Sequence, residues 1–114
     1  MTTGIQTVLI PVRDLDKAKK MFGAVLGVEP DMDQPYYVGY RAGGQDIGLD
    51  PHGHSKGMTG PVGYWHVDDI NATIKQVTDA GATVHEDVKD VGGGKLVVVL
   101  KDADGNMFGL IQMP

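Results

Sequence analysis

The sequence predicts an α+β domain of two βαβββ modules, with a mostly antiparallel sheet and the helices on its outer face. Three observations carry this prediction. Val12-Arg13-Asp14-Leu15-Asp16 recurs as Val67-Asp68-Asp69-Ile70-Asn71, each copy preceded by an apolar run and followed by a helical pattern ending in glycine. Near the end of each half, Ile47-Gly48-Leu49 is echoed by Phe108-Gly109-Leu110. Glycine-rich turns separate the remaining short apolar runs. A repeat of about half the chain means two copies of one supersecondary unit, each too small to bury its own apolar face. The modules divide at about 1–57 and 58–114 of a single 114-residue domain.

Ile5 to Val12 is apolar and bounded by Gly4 and Arg13, which suits a strand, and Pro11 falls at its end where a missing donor is tolerated. Asp16 is the N-cap of the first helix, and Leu15, Ala18, Met21, Phe22, Val25 and Leu26 follow helical spacing up to Gly27. Asp14, Asp69 and Asn71 are also of capping type. Tyr36 to Ala42 and Asp46 to Asp50 flank Gly43-Gly44-Gln45 as a hairpin, and the segment from Pro51 to Gly60 links the halves. Pro61 to Val67 is a strand, Asn71 a cap, Ala72, Ile74, Val77 and Ala80 an apolar stripe, and Gly81 its stop. Thr83 to Val91, Lys95 to Lys101 and Met107 to Met113 complete the strands.

Side chains alternate between the faces of a strand. Val8, Ile10 and Val12 go under the first helix, leaving Ile5, Thr7, Leu9 and Pro11 on the other side. Gly63, Trp65 and Val67 go to the helix side of the fifth strand, and Val62, Tyr64 and His66 away from it. Phe108 and Leu110 are likewise separated from Met107, Gly109 and Ile111. The face away from the helices mixes apolar, aromatic and glycine positions, and reads as a cup for an organic molecule.

Net charge is −5 with a pI near 5.1 and no Lys/Arg cluster, which argues against nucleic acid and anionic membrane as partners. There are no cysteines, so disulfides and thiol catalysis are excluded. No signal peptide or spanning apolar stretch is visible, and a cytoplasmic location is expected.

A pair of βαβββ modules with V-x-D-[LI]-[DN] before each helix and a terminal D-x-D-G-N-x-x-x-L segment resembles the vicinal oxygen chelate superfamily. That superfamily includes glyoxalase I, bleomycin-resistance proteins, fosfomycin-resistance enzymes and extradiol dioxygenases. The motifs are Val12 to Asp16, Gly27, Val67 to Asn71, Gly81, Asp102 to Asn106 and Leu110, and they span essentially the whole chain. The resemblance implies a sheet curled into a U-shaped cleft and a homodimer. It also implies four inward metal-ligand positions, two from each module, normally His and Glu. The matching positions here are Thr7, Gly48, Val62 and Gly109, of which only Thr7 has an oxygen to offer. A divalent ion is held by carboxylate and imidazole, so no cofactor is expected. Gly48 and Gly109 also leave room on the cavity floor for something flat or bulky.

Other candidates each have a plain structural reading beside the functional one. His52-Gly53-His54 could chelate a metal with Asp50 as third ligand, or could simply be a solvated loop. His66 is the best catalytic candidate, because imidazole changes charge close to neutral pH, but a half-buried His with a satisfied hydrogen bond looks the same in sequence. His85 suits surface pairing. Tyr36, Tyr37, Tyr40 and Arg41 could contact a planar or anionic ligand, or be ordinary strand residues. Trp65 suits core packing. Asp102 to Asn106 lacks the later residues of a calcium loop, and Gly92 to Lys95 lacks those of a phosphate loop.

The expected function is metal-independent binding of an aromatic or amphipathic drug or metabolite in the cleft between modules. Leu9, Val62, Tyr64, Met107 and Ile111 would bury it over Gly48 and Gly109, and Thr7, Tyr40 and His66 would orient it. The alternative is a glyoxalase-like lyase, isomerase or dioxygenase with a non-standard metal or histidine site.

Overall fold

The computed structural model describes residues 2–114. Its elements run β1 (Thr2–Pro11), α1 (Leu15–Leu26), β2 (Met32–Gln34), β3 (Tyr37–Ala42), β4 (Gln45–Asp50), β5 (Val62–Val67), α2 (Ile70–Asp79), β6 (Thr83–Asp90), β7 (Leu96–Lys101) and β8 (Met107–Gln112), with a short 3₁₀ turn at His54–Lys56. The α+β class and the repeated βαβββ order are those the sequence predicts. By contacts the chain forms two compact units, Gln6–Val62 and Gly63–Pro114, the latter including residues 2–5.

In the first unit the strand order is β2-β3-β4-β1, and in the second it is β5-β8-β7-β6. Each unit pairs its first and last strands in parallel and its remaining strands antiparallel. Parallel neighbours need a crossover, and the helix of each unit supplies it. Turn chemistry follows the sequence: Gly43 and Gly44 join β3 to β4 with φ of 60° and 78°, values glycine adopts without steric cost.

The helix caps differ by two residues from the expectation. Asp14, not Asp16, caps α1, its carboxylate accepting from the Lys17 amide at 3.1 Å. Asp69, not Asn71, caps α2 in the same way through the Ala72 amide. Asp14 and Asp69 have extended backbone, which aims their side chains at the free amides of the first turn, whereas Asp16 and Asn71 already lie inside the helices. Gly27 ends α1 in the left-handed conformation as expected.

The core of the first unit is Val12, Val38, Tyr40 and Leu49, covered by Leu15, Ala18, Phe22 and Leu26 of α1. Met21 and Val25, expected in the same stripe, are 51% and 69% exposed because they lie on the flank of the helix. The core of the second unit is Val67, Ile70, Val98, Leu100 and Leu110, covered by Ile74 and Val77. Ala72 and Ala80 are exposed. Gln112 ties α2 to its sheet by accepting the Ile70 amide at 2.8 Å. Trp65 corrects a second expectation: it sits on the helix side of β5 but is 39% exposed and outside that core. The strand β2 is an addition, three exposed residues pairing with β3.

Replacing Asp14 or Asp69 by Ala is expected to cost about 1 kcal/mol in urea unfolding. Asp16→Ala and Asn71→Ala should each stay within about 0.5 kcal/mol of wild type.

Candidate functional site

In the first unit the face turned away from α1 is built by three strands in register. Leu9 of β1 and Gly39 of β3 both stand opposite Gly48 of β4. Thr7, Leu9 and Pro11 therefore share this face with Asp46, Gly48 and Asp50, and with Tyr37 and Arg41. The Tyr37 ring reaches across so that its hydroxyl occupies the volume a side chain on Gly48 would need. Leu9 Cδ2 would stand 2.6 Å from a Cβ at the same place. Thr7 and Asp50 are both buried at 5% exposure. The carboxylate of Asp50 accepts the His52 amide at 2.8 Å and the Lys56 ammonium at 2.9 Å, while Arg41 donates to Asp46 at 2.7 Å.

The Tyr37 phenol is pushed above its ordinary range, first by burial and then by the charges of Asp46, Asp50 and Asp31. It is held as a neutral O–H, and among the described residues that O–H has no hydrogen-bond acceptor.

The second unit repeats the arrangement with different residues. Tyr64 of β5 stands opposite Gly109 of the parallel β8, and Val99 of β7 flanks Gly109 on the other side. The Tyr64 ring lies where a Gly109 side chain would be, with its Cγ 2.6 Å from a Cβ built there. Tyr64, Val99 and Ile111 are all buried. The expectation that Gly48 and Gly109 leave open room is therefore corrected: the chain's own tyrosines take that space.

Thr7, Leu9 and Gly48 thus come together on one unit's helix-free face, and Tyr64, His66, Met107, Gly109 and Ile111 on the other's, with Val62 opening β5. His66 is half-buried, and its carbonyl accepts from Thr2 Oγ1 at 2.8 Å. Tyr40 does not join its expected partners. Its place in β3 turns it under α1, where it is 1% exposed and its hydroxyl donates to the Lys19 carbonyl at 2.8 Å. There it borders a concavity of about 480 Å³ with Lys19, Lys20 and Gly23. Of the tyrosines weighed as ligand contacts it is Tyr37, with Arg41, that lies on the helix-free face, because alternation along β3 puts it opposite in face to Tyr40.

His52 is exposed and His54 half-buried, with a buried Nδ1 that has no partner. Asp50, the third ligand a metal would require, is committed to Lys56 and the His52 amide. Among the described residues no three His, Asp or Glu side chains converge on a metal position. His85 is exposed in β6.

Two parallel-closed βαβββ units with these motifs define the vicinal oxygen chelate class. The chain belongs to the Glyoxalase/Bleomycin resistance protein/Dioxygenase superfamily, whose family model matches residues 4–110. Comparison with curated proteins finds no match. Among solved structures it is similar to a glyoxalase/bleomycin resistance protein/dioxygenase superfamily member from Vibrio splendidus 12B01, at 19% identity and a TM-score of 0.73, covering 99% of this chain and 100% of that one. It is similar to methylmalonyl-CoA epimerase from Mycobacterium tuberculosis at 19% identity and a TM-score of 0.71, over 99% of this chain and 89% of that one. It is also similar to the Mn(II)-bound glyoxalase from Novosphingobium aromaticivorans, at 21% identity and a TM-score of 0.74, over 97% of this chain and 39% of that longer one. At these identities the likeness is one of fold. No helix among the described residues is long and apolar enough to cross a membrane.

The divalent ion that the superfamily implies does not fit the residues present. The four matching positions offer one hydroxyl, two glycines and a valine, and the volumes over both glycines are filled by Tyr37 and Tyr64. A neutral phenol and an aromatic ring do not replace carboxylate and imidazole as ligands to a hard cation.

Gly109→Ala is expected to destabilise the fold by about 1–3 kcal/mol, because Tyr64 must leave its place. In the Tyr64→Ala background the same change should cost far less, a coupling that a double-mutant cycle by urea unfolding measures. The Tyr37 phenol also sets a pH dependence. With its folded value above the ordinary one near 10, its contribution is complete below about pH 10 and is lost as pH rises through the folded value. Tyr37→Phe should therefore lose less stability than wild type between pH 9 and pH 11, as read by the urea midpoint.

Proposed function

We propose that this chain binds a small organic molecule without a metal ion, holding an aromatic or amphipathic drug or metabolite against the helix-free faces of its units. The observation that carries this reading is the replacement at the four ligand positions: Thr7, Gly48, Val62 and Gly109, with Tyr37 and Tyr64 standing over the two glycines. A hard-cation site has been exchanged for phenol, ring and aliphatic surface, which suits recognition of an organic molecule by burial and a few hydrogen bonds. Leu9, Met107 and Ile111 supply apolar contact, and Thr7 and His66 add polar groups. In this reading the protein acts as a cytoplasmic homodimer that sequesters its ligand. The related activities, epimerase and glyoxalase, belong to proteins that share the fold.

One observation favours a second reading. The Nδ1 of His54 is buried without a hydrogen-bond partner, an unspent polar atom of the kind an isomerase or lyase with a non-standard histidine site would use. His66 is the other candidate base.

A thermal-shift titration of chelator-stripped protein with nickel, zinc, manganese, iron(II) and cobalt separates the two. Saturation at a hundred times the dissociation constant is worth about 2.7 kcal/mol, or roughly ten degrees in a domain this small. No shift with any metal is expected, together with a rise in melting temperature and no turnover in a small-molecule screen. A metal-dependent shift that disappears in His52→Ala/His54→Ala overturns the metal-free reading.

A further inference from the structure

We propose that Tyr37 is the specificity-determining group of the first unit's helix-free face, donating a hydrogen bond to an uncharged acceptor, such as a carbonyl, amide or ether oxygen, on an aromatic ligand. This rests on the binding function proposed above and names the ligand class it selects.

Three independent features of the face point the same way. The Tyr37 hydroxyl is held in place by the register: β3 and β4 set Gly39 opposite Gly48, and the bare Gly48 lets the ring lie across its strand. The position is therefore fixed by the sheet rather than by a flexible loop, which is what a recognition group requires. Second, this O–H has no acceptor among the described residues, whereas the Tyr40 hydroxyl, three positions on, is spent on the Lys19 carbonyl. A half-buried donor without a partner gains from any ligand atom that accepts from it, and a ligand lacking that atom leaves it unpaired. Third, the charges that reach the phenol are those of Asp46, Asp50 and Asp31. Arg41 pairs with Asp46 and Lys56 with Asp50, while Asp31 has no ion-pair partner among the described residues. Burial first, and these carboxylates second, hold the phenol above its ordinary range, and the unpaired charge of Asp31 disfavours an anionic acceptor such as a carboxylate or phosphate. Leu9, beside the hydroxyl over Gly48, supplies the apolar surface against which a ring can pack.

The test uses a matched pair of probes, 2-naphthamide and 2-naphthoate, which share ring size and differ in charge. Each is titrated into the full chain by NMR chemical-shift perturbation, for wild type, Tyr37→Phe and Asp31→Asn. Tyr37→Phe keeps the ring over Gly48, and Asp31 is an exposed side chain, so both variants are expected to fold. Wild type should bind the amide at least tenfold more tightly than the carboxylate. Tyr37→Phe should lose about tenfold of the amide affinity and little of the carboxylate affinity. Asp31→Asn should gain two- to threefold for the carboxylate and leave the amide unchanged. Equal binding of the two probes by wild type, or amide binding unchanged in Tyr37→Phe, overturns the role of Tyr37 while the binding function stands. Binding of neither probe to wild type overturns the assignment of this ligand class and, if the wider small-molecule screen is also silent, the binding function itself.

Discussion

Two bare backbone positions govern the helix-free faces of this protein. Gly48 and Gly109 lie in the last strand of each unit, directly opposite Leu9 and Tyr64 of the first strand in a parallel ladder. A methyl group at either place would collide with a side chain already there. Glycine inside a strand weakens it, since it brings backbone entropy and no side chain to pack. Here an aromatic ring laid over each glycine restores the missing packing, the compensation known from designed and natural sheets. The glycine and its tyrosine are thus one structural unit in each half.

That coupling also fixes what chemistry the faces can perform. A side chain at Gly48 would start in the space that the Tyr37 hydroxyl and Leu9 Cδ2 occupy, so a carboxylate there would displace this phenol from its place. The phenol differs from the carboxylate in kind: it is neutral, it donates, and its surroundings keep it protonated. The solved relatives with 19–21% identity share the scaffold on which either choice can be built.

Much of this was legible in the sequence because the chain repeats its own punctuation. The two aspartate-bearing motifs, the stops at Gly27 and Gly81 and the paired Gly48 and Gly109 specify two βαβββ units without any contact information. The misplaced caps show the limit of such reading: Asp14 and Asp16 are the same residue two positions apart, and only the extended backbone at Asp14 separates them. β2 went unseen because its three residues are all exposed and show no alternation. Tyr40 departs from its expected face for a related reason. Alternation says that Tyr37 and Tyr40 point apart, but which of them meets the helix depends on the β3–β4 register, in which Tyr40 falls opposite Ile47, a partly buried residue packed against the core. The filled space over the glycines depends on side-chain reach across strands, which no spacing rule encodes.

The two units use the same glycine device for opposite chemistry. Around Gly109 the neighbours are Tyr64, Val99 and Ile111, all buried, with Met107 beside them, and the surface is one of dispersion and area. Around Gly48 they are Tyr37, Asp46 and Asp50, with Arg41 and Lys56 at the carboxylates. Apolar area gives affinity with little orientation, because it is non-directional. Hydrogen bonds and fixed charges supply orientation and discrimination, because the wrong ligand leaves them unpaired. Directional groups are therefore concentrated in the first unit, where a phenol lies over the bare Gly48, while the second unit presents mainly apolar and aromatic surface.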